Sequence, residues 1–302
     1  MKIAITGAGG FLGHHLINFL YENINEEISI YNLGTKNLSK CINYYIDDII
    51  DENQINMAIS SIKPDYLFHL AGTADNSLNS KTIKAVNTTY SSILLKSINK
   101  NNLRYHTKIL VVGSSAEYGN VKPEDLPVTE NHQPKPKTLY AKTKYNQTLD
   151  CLSWQQDSGK LVIVRPFNII GKNMPNYLAI GNFYYQICSI PSEGVLKTGR
   201  LNVERDFIDV NDVVEIMWNL INNEKSYGQV FNICRGKSLL LSDLVKLMIN
   251  LSGKKILHIA DKTRFRKDDV HIHYGDNKKL LSIIGEYKFT SWKNTIHKIM
   301  KV

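Results

Sequence analysis

A chain of 302 residues that is 43% hydrophobic can fill one large α/β domain, or a nucleotide-binding domain carrying a smaller lobe. Its 37 Lys and Arg against 28 Asp and Glu give a formal charge of +9, which suits an anionic ligand. No basic block interleaved with aromatics is present, so no nucleic-acid partner is expected. No apolar stretch reaches the roughly 20 residues of a membrane span, and Met1 leads into a strand pattern rather than a signal-peptide pattern. A cytoplasmic protein without a membrane partner is therefore expected. Cys41, Cys151, Cys188 and Cys234 are widely spaced, with no CxxC pair and no His cluster at ligand spacing, and are expected as buried free thiols rather than disulfides or metal ligands.

The first element is the apolar strand Ile3-Ala4-Ile5, followed by Thr6 to Gly13 (TGAGGFLG) and the amphipathic run Phe11 to Leu20. Strand, glycine turn and helix in that order form a dinucleotide pyrophosphate site. Gly7 turns the backbone off the strand, Gly10 lets it approach the diphosphate, and Gly13 lets the helix pack closely on the sheet. Phe11 and Leu12 belong to the same turn, and the helix N-terminus offers N–H groups and positive dipole to an anion.

Further strands are predicted near residues 28–32, 43–46, 65–70, 108–113 and 161–166, alternating with helices at 11–23, 52–61, 80–99 and 138–157. This alternation predicts a Rossmann-type, doubly wound parallel α/β sheet. Pro123 to Pro136 is too rich in proline for a regular element and reads as a surface loop leading into the helix near Thr138. Past residue 170 the alternation becomes irregular. The expected division is a dinucleotide-binding domain at 1–170 and a mainly substrate-binding lobe at 171–302, with the chain crossing back to the sheet.

Tyr140 and Lys144 lie four apart on a predicted helix, which places both on one face. A nearby ammonium favours the phenolate, so Lys144 is expected to lower the Tyr140 pKa and make the phenol usable in proton transfer. The strand Ile109 to Val112 ends in Gly113-Ser114-Ser115-Ala116-Glu117-Tyr118-Gly119, at the carboxyl edge where such sheets bind ligands. His14, His15 and His69 read as packing or surface residues.

These motifs resemble the extended short-chain dehydrogenase/reductase family, and the resemblance covers essentially the whole chain. It implies Ser114, Tyr140 and Lys144 as the catalytic group. It also implies a cofactor lining of Leu70, Ala71 and Gly72 (from HLAG), Asn87 supporting the lysine through water, and Phe167 from Arg165-Pro166-Phe167-Asn168 near the nicotinamide. Gly199 to Val214 (GRLNVERDFIDVNDVV) and Arg266 to Val270 resemble the segments whose arginines grip a nucleotide-sugar diphosphate. Ser115, Glu117, Asn168, Arg205 and Arg266 are therefore expected on the substrate, with Arg264 the alternative to Arg266 and a place within the turn the alternative for Glu117.

Within the family, GSSAEYG, Pro127-x-x-Glu130, RPFN, RDFxDVxD and the FNIC stretch ending at Cys234 are most similar to GDP-4-keto-6-deoxy-D-mannose reductases. The similar 4,6-dehydratases carry an acid where this chain has Ala116, which disfavours elimination. The resemblance thus implies reduction of the 4-keto group of a nucleoside-diphosphate 4-keto-6-deoxyhexose, in deoxysugar synthesis for surface polysaccharide. The alternatives are a nucleotide-sugar 4-epimerase holding NAD tightly or a dTDP-4-keto-6-deoxyglucose reductase, and a homodimer is expected from the same resemblance.

Two departures stand out. Gly171-Lys172-Asn173 replaces a Gly-Pro-Gly-like turn, and Tyr31-Asn32 occupies the second-strand end where NAD-preferring relatives place an acid for the adenosine ribose. With Thr35, Lys36 and Lys40 close in sequence, NADPH is expected, NADH being the alternative, with Asn32 and Lys36 on the cofactor. Asp48-Ile49 resembles the pair that faces adenine, although Asp48 reads equally as a polar strand end.

Overall fold

The computed structural model describes residues 1–75, 77–155, 159–265 and 270–301. From the N-terminus the chain runs β1 (Lys2–Thr6), α1 (Phe11–Asn23), β2 (Ser29–Gly34), β3 (Ile42–Tyr45), α2 (Glu52–Ile62) and β4 (Tyr66–His69). The predicted helix at 80–99 divides into α3 (Ser80–Lys84), a π-helical turn (Ala85–Thr89) and α4 (Tyr90–Lys100). Then come β5 (Lys108–Val112), a 3₁₀ turn (Ser115–Tyr118), α5 (Leu139–Gln155) and β6 (Leu161–Pro166). The remaining strands are β7 (Asn168–Ile170), β8 (Glu193–Thr198), β9 (Glu204–Arg205), β10 (Phe207–Asp209), β11 (Val230–Ile233), β12 (Leu239–Leu240), β13 (Lys255–Ala260) and β14 (Ile272–His273). Among them lie α6 (Ala179–Ser189), α7 (Val210–Ile221), α8 (Leu241–Ser252), α9 (Lys278–Ile284) and α10 (Trp292–Met300).

Among the described residues seven strands form one parallel sheet in the order β11-β6-β5-β4-β1-β2-β3. The expected doubly wound sheet is present, and its order reverses between β1 and β4, the position at which such sheets open a ligand crevice. Both faces are covered, so strand residues of either parity are apolar. Ile3, Ile5, Phe68, Leu110 and Val164 face Leu16 and Leu20 of α1 and Val213, Met217 and Leu220 of α7. Ala4, Leu67, Ile109, Val111 and Ile163 face Ile55 and Ile59 of α2 and Leu94 and Ile98 of α4.

The chain beyond residue 170 supplies β11 and α7 to this sheet as well as its own core of Phe183, Ile187, Leu196, Leu244, Met248 and Ile296. Three short sheets, β10-β7, β12-β9-β14 and β13-β8, join this part together. The proline-rich segment is more than a surface loop. Val128 is fully buried, its N–H donates to Tyr274 O (3.0 Å), and its carbonyl accepts from Asp276 N (2.8 Å). Glu130 accepts from Asn232 N at 2.8 Å, tying the loop to β11. Two of the four thiols, Cys151 and Cys234, are buried as expected, whereas Cys41 is half-buried and Cys188 exposed.

Candidate active site

The motif residues converge at the carboxyl edge of the sheet, because β1, β4, β5 and β6 are parallel and each ends in one of them. Gly7 leaves β1 with φ +70°, and a Cβ there would stand 2.7 Å from Ala71 N, so the turn and the end of β4 touch through backbone alone. At Gly13 a Cβ would fall 2.4 Å from Gly7 O, which fixes how closely α1 meets the turn. The first N–H groups of a helix lack intrahelical partners, and the N-cap Gly10 has no side chain to take them. That end of α1 is therefore suited to the diphosphate of a dinucleotide. Phe11 and Leu12, both half-buried, pack toward the core from the first turn of α1.

On the adenosine side, β2 runs two residues past its expected end. Asn32 is 3% exposed and donates to Lys36 O and Asn43 Oδ1 (3.0 Å), so it shapes the loop from inside rather than facing a ribose. Lys36 is exposed on that loop. Asp48 is exposed and accepts from Ile50 N at 3.0 Å, while Ile49 packs on the sheet core.

Past β4, Leu70 packs on the core beneath the Ala71-Gly72 turn. Asn87 sits in the π-helical turn, fully buried, accepting from Thr73 N (2.8 Å) and donating to Thr73 O (3.1 Å) and Thr143 Oγ1 (3.0 Å). The extra residue of the π turn rotates this side chain inward, so Asn87 clamps the loop after β4 onto α5. A Cβ at Gly72 would lie 3.1 Å from Lys144 Nζ and 3.5 Å from Asn87 Oδ1, so all three meet at one point. His69 is buried edge-on to Tyr90, with Nδ1 2.8 Å from Thr6 Oγ1; burial, and secondarily Lys144, push its pKa down to about 3.

Helix α5 is polar on its inner face. Tyr140, Thr143, Lys144, Gln147, Thr148 and Cys151 recur at helical spacing, all but the half-buried Tyr140 being buried. Lys144 Nζ donates to Val112 O (2.6 Å) and Gln147 Oε1 (2.9 Å). Burial lowers its pKa to about 8, opposed first by the charge of Glu117. The Tyr140 hydroxyl faces the Ser114 side chain. Its pKa is raised by burial, with the Ser114 side chain opposing. The expected lowering by Lys144 is not found in this geometry, where desolvation of the phenolate is the largest effect and Ser114 opposes it. A neutral phenol beside a serine hydroxyl can donate a proton to an oxyanion.

Ser114 caps the 3₁₀ turn, its Oγ accepting from Ala116 N at 3.2 Å, and Ser115 is half-buried in the turn itself. Glu117 is not at the surface. It is 0% exposed, accepting from Ser114 N (2.8 Å), Thr148 Oγ1 (2.9 Å) and Arg165 Nε (2.8 Å), so the expected contact with substrate is corrected to an internal one. Burial raises the Glu117 carboxyl from its ordinary value, opposed first by the Arg165 guanidinium. Gln147, Thr148 and the Arg165 partnership escaped the sequence reading, though the spacing 140, 144, 147, 148 and 151 on one helix carries the signal for the first two.

Phe167 stacks on His273, with ring centroids 5.2 Å apart. Asn168 is turned to the backbone, its N–H and Nδ2 both reaching Asp206 O (3.0 and 2.9 Å). Asp206 in turn accepts from Arg235 N (2.9 Å) and Gly236 N (3.0 Å), while burial raises its carboxyl to about 6. Arg205 is half-buried and donates to Glu204 O at 2.8 Å; it stands level with His273 in the β9–β14 pairing. Arg266 lies outside the described residues. Arg264 donates to Lys197 O at 3.1 Å.

Residues 3–234 match the NAD dependent epimerase/dehydratase family. The chain is 26% identical over 303 residues to the GDP-6-deoxy-D-talose 4-dehydrogenase of Aggregatibacter actinomycetemcomitans, covering 100% of this chain and 97% of that protein. It is 28% identical over 192 residues to the GDP-6-deoxy-D-mannose reductase of Pseudomonas aeruginosa, covering 62% of this chain and 60% of that one. Its fold is similar to that of RMD from Pseudomonas aeruginosa complexed with NADPH, with TM-score 0.85, 22% identity and 99% and 97% of the two chains covered. It is also similar to the UDP-glucose 4-epimerase of Thermus thermophilus complexed with NAD, with TM-score 0.84, 20% identity and 99% and 98% covered. With the glycine turn, the reversed-order sheet and the Ser-Tyr-Lys set in place, the chain belongs to the NAD dependent epimerase/dehydratase family and is an NAD(P)-dependent oxidoreductase.

Proposed function

We propose that the protein reduces the 4-keto group of a nucleoside-diphosphate 4-keto-6-deoxyhexose, with GDP-4-keto-6-deoxy-D-mannose the leading substrate and NADPH the reductant. The observation that carries this reading is Ser114 facing the Tyr140 hydroxyl while Ala116 stands at the position where a dehydratase would need an acid. The nearest carboxylate in the turn, Glu117, is held inside by Arg165 and cannot act as the base for elimination. Two relatives whose names both specify a GDP-linked 6-deoxyhexose support the substrate class.

The nicotinamide, when bound, supplies hydride to carbon 4. The chain does the rest. Gly7, Gly10 and Gly13 bring backbone N–H groups to the diphosphate, and Lys144, anchored on Val112 O, keeps a positive charge beside the ribose. Ser114 hydrogen-bonds the ketone oxygen, and Tyr140 gives its proton to that oxygen as negative charge develops. Arg205 and Arg266 are proposed for the substrate diphosphate, since a planar guanidinium matches phosphate oxygens two at a time. The NADPH preference follows from Tyr31 in place of an acid and from exposed Lys36.

The test is incubation of the purified protein with NADPH and GDP-, dTDP- and CDP-linked 4-keto-6-deoxy sugars, alongside GDP-mannose with NAD(P)⁺. Loss of NADPH absorbance with the GDP-linked ketone, and no 4-keto product from GDP-mannose, is expected. Turnover of no ketone, together with NAD retained through purification, would move the assignment to a 4-epimerase.

A further inference from the structure

We infer that Glu117 is a positioning residue for this site: its buried carboxylate, paired with Arg165, fixes the backbone of Ser114 and holds Lys144 in its ammonium form. The inference rests on reading Tyr140 and Lys144 as the reacting pair. Three donors from three elements converge on the carboxylate: Ser114 N (2.8 Å) from the 3₁₀ turn, Thr148 Oγ1 (2.9 Å) from α5, and Arg165 Nε (2.8 Å) from β6. All are N–H or O–H groups and one is a cation, a set that suits an ionised acceptor. Space has been left for it. A Cβ on Gly113 would fall 2.5 Å from Glu117 Oε1, so the glycine after β5 is where the carboxylate lodges. The residue before that glycine, Val112, accepts from Lys144 Nζ at 2.6 Å. Neighbouring residues of one strand end thus hold the ammonium and the carboxylate.

Stability alone does not account for this arrangement. Glu117 is 0% and Arg165 3% exposed, and the cost of desolvating both charges is such that an apolar pair of the same volume commonly serves a fold as well or better. What an apolar pair lacks is charge. The titratable groups facing Lys144 are Glu117 from the 3₁₀ turn, Cys151 from α5 and His69 from β4, the last neutral because burial depresses its pKa. Glu117 heads the influences that oppose the burial of Lys144. Without it the amine loses its proton closer to neutral pH and no longer offers positive charge to the site.

The experiment labels the protein with lysine carrying ¹³C at the ε position and follows the Lys144 resonance, identified by its loss in Lys144→Arg, through a pH titration. In Glu117→Gln, which preserves shape and removes charge, the Lys144 midpoint should fall by about one pH unit or more. In Thr148→Val, which removes one hydrogen bond and no charge, it should stay in place. If Glu117→Gln does not fold, the double variant Glu117→Leu/Arg165→Met replaces the pair by apolar groups, and the same fall is expected. An unmoved midpoint in the charge-removing variants, or an equal fall in Thr148→Val, overturns the inference. The resonance reports on Lys144 whether or not any sugar is turned over. A midpoint that falls in a protein inactive on every 4-keto sugar therefore refutes the proposed reaction and leaves Glu117 in its role.

Discussion

At the scale of single residues the site depends on protons held in the right place by burial. Tyr140→Phe removes one hydroxyl and leaves the ring, so turnover should fall about 10²–10⁴-fold with NADPH affinity little changed; steady-state kinetics and fluorescence titration of NADPH check the two halves. Lys144 carries the pH dependence. Its pKa of about 8 lies below the ordinary 10.5, so the ammonium is present below pH 8 and lost as pH rises through it. Turnover at saturating substrate should decline on that limb, and a profile flat to pH 9 would remove Lys144 from the account. Tyr31→Asp should offer an acceptor to the adenosine ribose of NADH and repel a 2′-phosphate. A shift of kcat/KM toward NADH is expected, against NADPH preference in the unaltered protein. Legibility follows sequence distance. Gly7, Gly10 and Gly13, and Tyr140 with Lys144, could be read because their partners lie within a turn or two. Glu117 and Arg165 are 48 residues apart, and the pairing that turns Glu117 inward appears only once β5 and β6 lie side by side.

At the scale of elements, the helix reading at 80–99 had the right extent and the wrong regularity, since the π turn at Ala85–Thr89 has no marker in residue type. It is what swings Asn87 under Thr73 and against Thr143. Asn87→Ala would leave the Thr73 N–H without its acceptor and should cost about 1–3 kcal/mol of stability, read by urea unfolding. The orientation of Asn32 was hidden for a related reason: β2 continues to Gly34, and a side chain's direction alternates along a strand. The β1–β4 junction gives a second stability prediction. The pKa of His69 is about 3 in the folded protein against an ordinary 6.5, so the unfolded chain takes up the proton first and stability drops as pH falls from about 6.5 toward 3. The loss between pH 7 and 5 should be about 2 kcal/mol smaller in His69→Gln than in the native protein.

At the scale of the whole molecule, the sheet, its order and its two covered faces were readable because parallel βα units leave an alternating trace along the chain. The second half was not. Strands of two or three residues such as β9, β10, β12 and β14 are too short for periodicity, and the return of β11 to the edge beside β6 is a tertiary event. That return matters for function. It carries Asn232 to Tyr118 (2.7 Å), and the Glu130 loop with it, against the turn that presents Ser114. The two parts of the chain thus meet at the carboxyl edge of the sheet, at the crevice expected between β1 and β4, which the proposed function lines with the glycine turn, Ser114, Tyr140, Phe167, Asn168 and Arg205. The central claim is that this crevice passes hydride to a sugar carbonyl while Tyr140 protonates the oxygen. The most direct measurement supplies NADPH deuterated at the transferable position together with GDP-4-keto-6-deoxy-D-mannose and locates the label in the product. One deuterium at carbon 4 for each NADPH oxidised is the predicted result. A product without deuterium at carbon 4, or conversion of the sugar with no NADPH consumed, would contradict it.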